Sequence, residues 1–457
     1  MNDCAVLVLA AGQGTRMRSV LPKVLHPLAG RPLLWHVLTT VRRLQPDRLA
    51  VVIGHQAGQV QAAFPDADLT WVYQTEQLGT AHAVRCALSA LTDLRGELLI
   101  LSGDTPLVEE ALLRALLAQH RRTGVGVTMV SMTQPVPTGY GRVVRDAAGD
   151  LLRVVEEKDA GAAERAITEV NSGIYCVDLA RLPVWLERIS DRNAQREYYL
   201  PDLLAIARTD GGVGVLHHGE ALSLAGVNDR RQLAALEAVL RDRLVAHWQE
   251  RGVTFMDPGS CWLTMEVVIG QDTVIEPHVM LRGETTIGEA CRIGPFCDIR
   301  DSRLGAGCQV KGFCHLEGVE LAEHNEVGPY ARLRPGTHLE KGARVGNFCE
   351  LKKAYIGEGS KINHLSYIGD TRMGKGVNVG AGTITCNYDG VHKHQTVIGD
   401  GVFIGSDSQL VAPVQVGERA VIGAGTTVTK AVPADSLAVS RPPQLNIAGW
   451  KRRNKAP

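Results

Sequence analysis

The sequence predicts two domains of different fold class, an α/β domain with a Rossmann-like parallel sheet and a parallel β-helix, joined by a helix. Three observations support this. Short apolar runs alternate with helical segments up to about residue 228, a helical segment without glycine or proline covers 230–251, and aliphatic–glycine pairs recur at six-residue steps beyond it. A chain of 457 residues is too long for one ordinary core. We therefore expect domains at 1–229 and 252–457, with the linker helix at 230–251.

Strands and helices alternate along the first half. Apolar runs bounded by glycines predict strands at 6–9, 49–53 and 98–101. Helical spacing of apolar residues predicts helices at 31–44 and 80–91. This order is typical of a parallel sheet with helices on its faces.

The linker segment predicts a single helix with one buried stripe. Its apolar residues recur at three- and four-residue steps and are Leu233, Leu236, Leu240, Leu244 and Trp248. Gly252 follows the last of them, and we expect the helix to end there.

The second half repeats a hexapeptide pattern that predicts the coils of a β-helix. Its aliphatic–glycine pairs stand at 269–270, 287–288, 293–294, 304–305, 327–328, 345–346, 356–357, 398–399, 404–405 and 422–423. We expect each aliphatic side chain to point to the axis and each glycine to occupy a tight corner with positive φ. An insertion at 383–395 interrupts the repeat and predicts a loop on a binding face.

Composition excludes several classes of protein. Lys+Arg and Asp+Glu both number 49, so no net charge would attract nucleic acid or an anionic membrane. No apolar stretch approaches the ~20 residues of a membrane span, and the apolar run at 5–10 lacks the basic flank of a secretion signal. The ten cysteines contain no Cys-x-x-Cys pair, and four of them, Cys291, Cys297, Cys308 and Cys314, follow six-residue steps. We expect reduced core thiols and a cytoplasmic protein.

Two features of the first half predict a phosphate site. Gly12 and Gly14 follow the first predicted strand and allow the backbone to approach an anion, and Arg16 and Lys23 add positive charge. Asp104 follows the buried run at 98–101 by three residues, at the strand end where ligands bind in open α/β sheets. A carboxylate there suits Mg²⁺, although Gly-Asp-Thr-Pro also fits an ordinary turn.

Longer motifs resemble those of a known family. The strings are Leu-x-Ala-Gly-x-Gly-Thr-Arg-Met at 9–17 with Pro-Lys at 22–23, Gln-Thr-Glu-Gln-Leu-Gly-Thr-Ala at 74–81, Thr-Gly-Tyr-Gly-Arg at 138–142, Val-Glu-Glu-Lys-Asp at 155–159, Val-Asn-Ser-Gly-Ile at 170–174 and Gly-Val-Asn at 226–228. Together the motifs resemble bifunctional N-acetylglucosamine-1-phosphate uridylyltransferase/glucosamine-1-phosphate acetyltransferases over essentially the whole chain. The resemblance implies a left-handed β-helix, a homotrimer, and synthesis of UDP-N-acetylglucosamine for peptidoglycan and other envelope polysaccharides.

The resemblance also implies roles for residues of the first half. Nucleotide and sugar would be held by Leu9, Ala10, Gly12, Lys23, Gln74, Gly79, Thr80, Gly141, Glu156, Asn171 and Asn228. Asp104 and Asn228 would bind Mg²⁺, while Arg16 and Lys23 would stabilise charge as the sugar 1-phosphate attacks the α-phosphorus of UTP. Ser102 departs from the family, in which many members carry an aromatic residue at this position.

In the second half the resemblance implies an acetyltransferase site. His364 would act as the general base that takes the proton of the glucosamine amine. The sugar phosphate would be bound by Arg334, Lys352, Tyr367 and Asn378. Acetyl-CoA would be bound by Ala381, Asn387, Tyr388, Ser406, Ala424 and Arg441, with a backbone N–H near Ala381 as oxyanion donor. The basic run at 451–455 offers a further contact to a CoA phosphate or is a solvated terminus.

Two other interpretations remain open at this point. The β-helix of a single-function nucleotidyltransferase could serve only assembly or regulation, or the whole chain could be a non-enzymatic scaffold. A structural solenoid needs none of His364, Arg334 and Lys352, and a scaffold needs none of Asp104 and Lys23. The sequence therefore favours the bifunctional enzyme.

Overall fold

The computed structural model describes residues 4–451, so the basic run at 451–455 lies outside the described residues except for Lys451. The chain forms two compact units that divide between Leu240 and Arg241. This division lies within the predicted linker helix.

The first unit is built around a mixed β-sheet flanked by helices. Its strands are β1 Cys4–Leu9, β2 Pro27–Leu28, β3 Arg31–Pro32, β4 Arg48–Ile53, β5 Leu69–Tyr73, β6 Glu97–Ser102, β7 Val127–Thr133, β8 Arg142–Arg145, β9 Leu151–Val155, β10 Glu169–Asp178 and β11 Val213–His218. Its helices are α1 Leu33–Arg42, α2 Ala57–Ala63, α3 Thr80–Ala87, α4 Glu110–Thr123, α5 Ala162–Arg165, α6 Leu182–Arg188, α7 Asp202–Thr209 and α8 Arg230–Gln249, the last of which continues into the second unit.

The main sheet has the order β11-β7-β10-β6-β1-β4-β5, and β8 and β9 extend it beside β10. All neighbours in this order are parallel except β10, which runs antiparallel to both β6 and β7. Within β1, Leu7 packs in one apolar layer and Val6 and Val8 in the other, so both faces of the strand are buried. That double burial explains why the central strands are continuous apolar runs. Because β1 and β6 are parallel neighbours, their carboxyl ends meet at one edge of the sheet, which carries the first site.

Helix α8 begins where the sequence predicts and ends at Gln249, and Gly252 follows with a φ of +84°. Leu236 and Leu240 are buried, as expected for the stripe. Leu233, Leu244 and Trp248 are only half-buried, and Val245 is fully buried instead. The second half of the helix packs Leu244, Val245 and Trp248 against the core of the second unit, which rotates its buried face.

The second unit is a parallel β-helix with two long sheets. The strands of one sheet are Thr254–Phe255, Val274–Ile275, Arg292–Ile293, Gln309–Val310, Glu326–Val327, Arg344–Asn347, Lys361–His364, Asn378–Val379, Phe403–Ile404, Val421–Ile422 and Leu437–Ala438. The strands of the other are Trp262–Leu263, Val268–Ile269, Met280–Arg282, Thr286–Ile287, Asp298–Arg300, Arg303–Leu304, His315–Glu317, Glu320–Leu321, Arg332–Leu333, His338–Leu339, Glu350–Ile356, Tyr367–Met373, Ile384–Cys386, Thr396–Ile398, Gln409–Val411, Val414–Val416 and Thr427–Val428.

The aliphatic residues of the hexapeptide pattern line the core, as the sequence predicts. The ten that precede glycine are all buried and are Ile269, Ile287, Ile293, Leu304, Val327, Val345, Ile356, Ile398, Ile404 and Ile422. Each stacks on its counterpart one coil away; Ile293, for example, pairs with Val310.

The prediction that the repeat glycines are needed for a positive φ is wrong. Of the ten that follow those residues, Gly328 alone has a positive φ, at +94°. Eight of the others are needed because adjacent coils approach closely, whereas a Cβ on Gly423 would lie 3.1 Å from the Val439 side chain and 3.5 Å from the nearest backbone atom. A Cβ on Gly270 would lie 2.6 Å from the backbone nitrogen of Glu289, and one on Gly288 would lie 2.7 Å from that of Ala306. Contact between coils, rather than conformation, therefore excludes side chains there.

All ten cysteines carry free thiols. Cys291, Cys297, Cys308 and Cys314 are buried in the core of the β-helix, in the positions expected from their spacing. Among residues 4–451, no helix combines the length and the apolar character that crossing a membrane requires.

Candidate active sites

A cavity of about 550 Å³ opens at the carboxyl ends of β1 and β6. Eight of the residues predicted from the sequence line it: Leu9, Ala10, Gly12, Lys23, Gln74, Gly79, Thr80 and Asp104. Gly14 lies there with a φ of +62°, and a Cβ on Gly12 would meet no protein atom within 4 Å. The glycine turn therefore leaves its backbone accessible to a ligand, as a phosphate-binding loop requires.

A second cavity of about 190 Å³ adjoins the first and shares Leu9, Thr80 and Ser102 with it. It contains three more of the residues predicted to hold the nucleotide and the sugar, which are Gly141, Glu156 and Asn171. The Nδ2 of Asn171 donates to the hydroxyl of Tyr175 at 2.6 Å, which orients the amide. The two cavities together offer adjoining spaces for a nucleotide and a sugar.

Two basic side chains pair with side-chain oxygens in this region, and one of these pairs, Lys23 with Asp104, lines the first cavity. Lys23 forms an ion pair with Asp104, and Nη2 of Arg16 donates to Oδ1 of Asn228 at 2.9 Å. A Cβ on Gly226 would lie 3.7 Å from Asp104 and 3.9 Å from Asn228, so both side chains flank the same glycine. The residues predicted as metal ligands and as phosphate-binding cations therefore come together, although Arg16 and Asn228 are 212 positions apart in the chain.

Gly79 is required by its backbone conformation. Its φ of +110° is a region that only glycine adopts readily, and an added Cβ would lie 2.5 Å from the carbonyl oxygen of Tyr198. The segment it would displace is held by a hydrogen bond from Tyr198 N to Leu78 O at 2.8 Å and another from Leu200 N to Thr80 Oγ1 at 2.9 Å. Gly79 thus fixes one wall of the cavity.

Replacement of Gly79 by alanine is expected to lower uridylyl transfer at least about 10-fold and to destabilise the protein by about 1–3 kcal/mol. The reason is that the strained residue must push the 198–200 segment out of the cavity wall. Steady-state kinetics with thermal unfolding of the full chain would measure both effects. Gly58→Ala in α2 is the matched control, because a Cβ there meets nothing within 4 Å. If Gly79→Ala and Gly58→Ala showed the same activity and the same stability, Gly79 would not be the residue that fixes the cavity wall.

Glu156 is the perturbed carboxyl group of the second cavity. Burial, reinforced by the nearby Asp202 and Asp159, raises its pKa to about 7 from the ordinary 4.5, and Arg142 opposes the shift. The folded protein therefore binds this proton more tightly than the unfolded chain does. The resulting stability is fully present below pH 4.5 and is lost as the pH rises through about 7.

Glu156→Gln should remove this pH dependence. At pH 8 the variant is expected to exceed the wild type in free energy of unfolding by up to about 3 kcal/mol, whereas near pH 4.5 the two should agree. Denaturant unfolding of the full chain at both pH values would measure the difference. The control variant Glu187→Gln, at an exposed position, should have the same free energy of unfolding as the wild type at both pH values. If Glu156→Gln differed from the wild type by the same amount at both pH values, the raised pKa would not belong to Glu156.

In the second unit, His364 stands at the end of its strand with an exposed ring. Its Nδ1 lies 2.8 Å from Oδ1 of Asn347, which occupies the same position one coil earlier. Because an amide oxygen only accepts, Nδ1 carries the proton in this pair and Nε2 is left as an acceptor. The arrangement is the one that a general base needs.

Basic side chains converge on the neighbouring sheet. Arg334 pairs with Glu350 at 3.0 Å, and Lys352 follows two residues after Glu350 on the same strand. The neighbouring Lys393, with Arg334 nearby, lowers the pKa of Lys352. Such a concentration of positive charge is suited to a phosphate group.

The remaining predicted residues fall into two groups. Ala381, Ser406, Ala424 and Arg441 follow one edge of the β-helix, because Gly380 abuts Ser406, Gly405 abuts Ala424 and Gly425 abuts Arg441. The Tyr367 hydroxyl and the Asn387 amide meet over Gly369, and Tyr388 follows in the insertion. The main-chain N–H of Ala381 has no hydrogen-bond acceptor among residues 4–451. Asn378 lies in the other sheet, where it pairs with Lys361.

Sequence reasoning missed two residues of these sites. Asn347, which contacts His364, shows no motif, although its place one coil before His364 in the repeat was a usable signal. Lys393 stood within the insertion but had no predicted role, and only the folding of that loop brings it to Lys352.

Two families match parts of the chain. The MobA-like NTP transferase domain matches residues 6–172. The bacterial transferase hexapeptide, with six repeats, matches residues 266–301 and 395–430, which confirms the left-handed form of the β-helix. Fold and sites define a transferase with a nucleotidyltransferase domain followed by a hexapeptide acyltransferase domain.

Relatives extend this match to the full length. The chain is 50% identical over 454 residues to the bifunctional protein GlmU of Alkalilimnicola ehrlichii, covering 99% of this chain and 97% of that protein. It is 49% identical to that of Trichlorobacter lovleyi, with 98% of each covered, and 47% identical to that of Marinobacter nauticus, with 100% of each covered. The chain belongs to the GlmU family of bifunctional N-acetylglucosamine-1-phosphate uridylyltransferase/glucosamine-1-phosphate N-acetyltransferases.

Proposed function

We propose that the two activities of this bifunctional enzyme occupy two separate sites. The acetyltransferase site around His364 acetylates glucosamine-1-phosphate with acetyl-CoA. The cavity at β1 and β6 then transfers UMP from UTP to N-acetylglucosamine-1-phosphate and releases pyrophosphate. The observation that supports this division best is that Asp104 and Lys23 meet in one unit whereas His364 and Lys352 lie in the other.

Uridylyl transfer requires positioning and charge stabilisation rather than a general base, because the attacking phosphate oxygen is already ionised. The loop at Gly12 and Gly14 receives the UTP phosphates on its backbone, while Gln74 and Gly79 face the uracil. Arg16 and Lys23 stabilise the negative charge that develops at the α-phosphorus and on the departing pyrophosphate. Gly141, Glu156 and Asn171 hold the sugar in the adjoining cavity.

A divalent metal fits this site, and we infer that it is Mg²⁺. Asp104 offers a carboxylate and Asn228 an amide oxygen beside the same glycine, a donor set that Mg²⁺ completes with water and substrate phosphates. In this structure Lys23 and Arg16 pair with the two side chains, so each would turn to phosphate when the metal binds. The metal would supply charge neutralisation of the triphosphate.

Acetyl transfer requires removal of a proton from the amine. Nε2 of His364 accepts that proton as the amine nitrogen attacks the thioester carbonyl, and the C–S bond then breaks to release CoA thiolate. Asn347 holds the ring in the required tautomer. Arg334 and Lys352 bind the sugar phosphate, Tyr367 and Asn378 contact the sugar, and the Ala381 N–H stabilises the oxyanion.

Acetyl-CoA would follow the edge formed by Ala381, Asn387, Tyr388, Ser406, Ala424 and Arg441. We further propose a cytoplasmic homotrimer that supplies UDP-N-acetylglucosamine for peptidoglycan and other envelope polysaccharides. The exposed flat sheets of a β-helix favour side-by-side assembly.

Two assays on one preparation test this function. Thiol release from acetyl-CoA should require glucosamine-1-phosphate, and pyrophosphate release from UTP should require N-acetylglucosamine-1-phosphate and a divalent metal. Pyrophosphate without thiol release would make the β-helix structural, and the reverse would remove the role of the first cavity.

A further inference from the structure

The insertion in the β-helix folds into a hairpin at 387–394 whose turn is organised by one carboxylate. Oδ1 of Asp389 accepts hydrogen bonds from the main-chain N–H groups of Val391 at 2.8 Å and His392 at 2.6 Å. Oδ2 accepts a third from Nε2 of His394 at 2.7 Å. These three donors hold the pKa of Asp389 near 2, so the carboxylate is ionised at any working pH.

The two legs of the hairpin close on each other below that turn. Tyr388 and Lys393 form an antiparallel bridge, and the N–H of His394 donates to the carbonyl oxygen of Asn387 at 2.8 Å. Asn387 has its own anchor, since its amide donates to the carboxylate of Asp370. The first leg is therefore fixed to the β-helix, and the Lys393 leg is held by its pairing with that leg, by the contacts of Asp389 and His394, and by the strand Thr396–Ile398 that follows it.

The Lys393 leg carries a charge that its surroundings repel. Lys352 lies opposite Gly369 in the next coil, and the Asn387 amide at the base of the hairpin lies over Gly369, so the hairpin stands beside Lys352. The positive charges of Lys393 and Arg334 lower the pKa of Lys352, and Asp370 opposes them. Like charges held close together repel each other even in water. Without phosphate, this repulsion drives an exposed lysine on a short loop away from the site. Some interaction must therefore keep Lys393 in place before the substrate binds.

We propose that Asp389 and His394 form a latch that holds Lys393 in the glucosamine-1-phosphate site. Both are positioning residues, since neither touches the reacting atoms. The inference rests on the proposed acetyltransferase site and adds a specific claim, that the latch supplies preorganised positive charge to the sugar phosphate. Loss of the latch weakens binding of that substrate and leaves the chemical step intact.

Asp389→Ala and His394→Ala test the latch through the separation of KM from kcat. Each is expected to raise KM for glucosamine-1-phosphate about 10-fold or more, with kcat within about threefold of wild type and uridylyl transfer unchanged. Lys393→Ala should raise KM similarly. Because all act through Lys393, the Asp389→Ala/Lys393→Ala double variant should show no further increase. His392→Ala, in the same hairpin, is the control that should behave as wild type.

The other outcomes overturn the latch. An unchanged KM in Asp389→Ala, or additive effects in the double variant, means that Lys393 is positioned without it. If Asp389→Ala lowers kcat of acetyl transfer and leaves uridylyl transfer intact, Asp389 is needed only to fold the hairpin. Absence of thiol release from the wild type refutes the proposed acetyltransferase instead, which distinguishes the two failures.

Discussion

Replacement of His364 by alanine is expected to lower acetyl transfer by about 10²–10⁴-fold, the range lost with a general base, and to leave uridylyl transfer within twofold of wild type. The ring is exposed, and its hydrogen bond within residues 4–451 is at Nδ1, so its removal leaves no cavity in the core. Thiol release and pyrophosphate release, measured on one preparation, would give both numbers.

Two further variants make this test specific. Asn347→Ala should give an intermediate loss in kcat, because the base remains but its tautomer and orientation are no longer held. His324→Asn changes another exposed histidine of the β-helix, at a positive φ that asparagine tolerates, and should retain full activity. Retained acetyl transfer in His364→Ala would refute the assigned base.

Asp104→Asn is expected to lower uridylyl transfer by about 10²–10³-fold with acetyl transfer unaffected. The substitution preserves size but removes the charge that pairs with Lys23 and that a divalent metal would need. A higher concentration of Mg²⁺ should be required for half-maximal rate, which a titration of initial rate against the metal would show.

The control is an exposed, ion-paired carboxylate in the same unit. Asp66 pairs with Arg42 at 2.8 Å, and Asp66→Asn should leave the rate and the metal dependence as in wild type. If Asp104→Asn loses acetyl transfer as well, the two sites are not separate. If it loses neither activity, Asp104 is an ordinary turn residue.

The main elements of both units were predictable from local patterns. The apolar runs at 6–9, 49–53 and 98–101 lie within β1, β4 and β6, each extended by one or two residues. Helix α3 begins at Thr80 as expected, and its predicted last turn becomes a 3-10 helix at Leu88–Ala90. Periodicity is a property of the chain itself, because burial on one or two faces selects apolar residues at fixed steps.

The explanation of the repeat glycines failed because the cause is not local. Gly270 has an ordinary φ, and the atom that excludes a side chain belongs to Glu289 on the next coil. A pattern shows that glycine recurs, but the distance between stacked backbones exists only in the folded chain. The buried stripe of α8 shifted for a related reason, since packing in the second unit selects Val245.

The sequence by itself determined the two fold classes, the hexapeptide repeat, the linker helix and, through its motifs, the residues to examine. Only the tertiary structure decided which of them meet. Arg16 reaches Asn228 across 212 positions, Asn347 orients His364 from one coil away, and Lys393 approaches Lys352 because an insertion folds back. Hydrogen bonding and charge repulsion depend on distances of a few ångströms between atoms remote in the chain, and folding alone sets those distances.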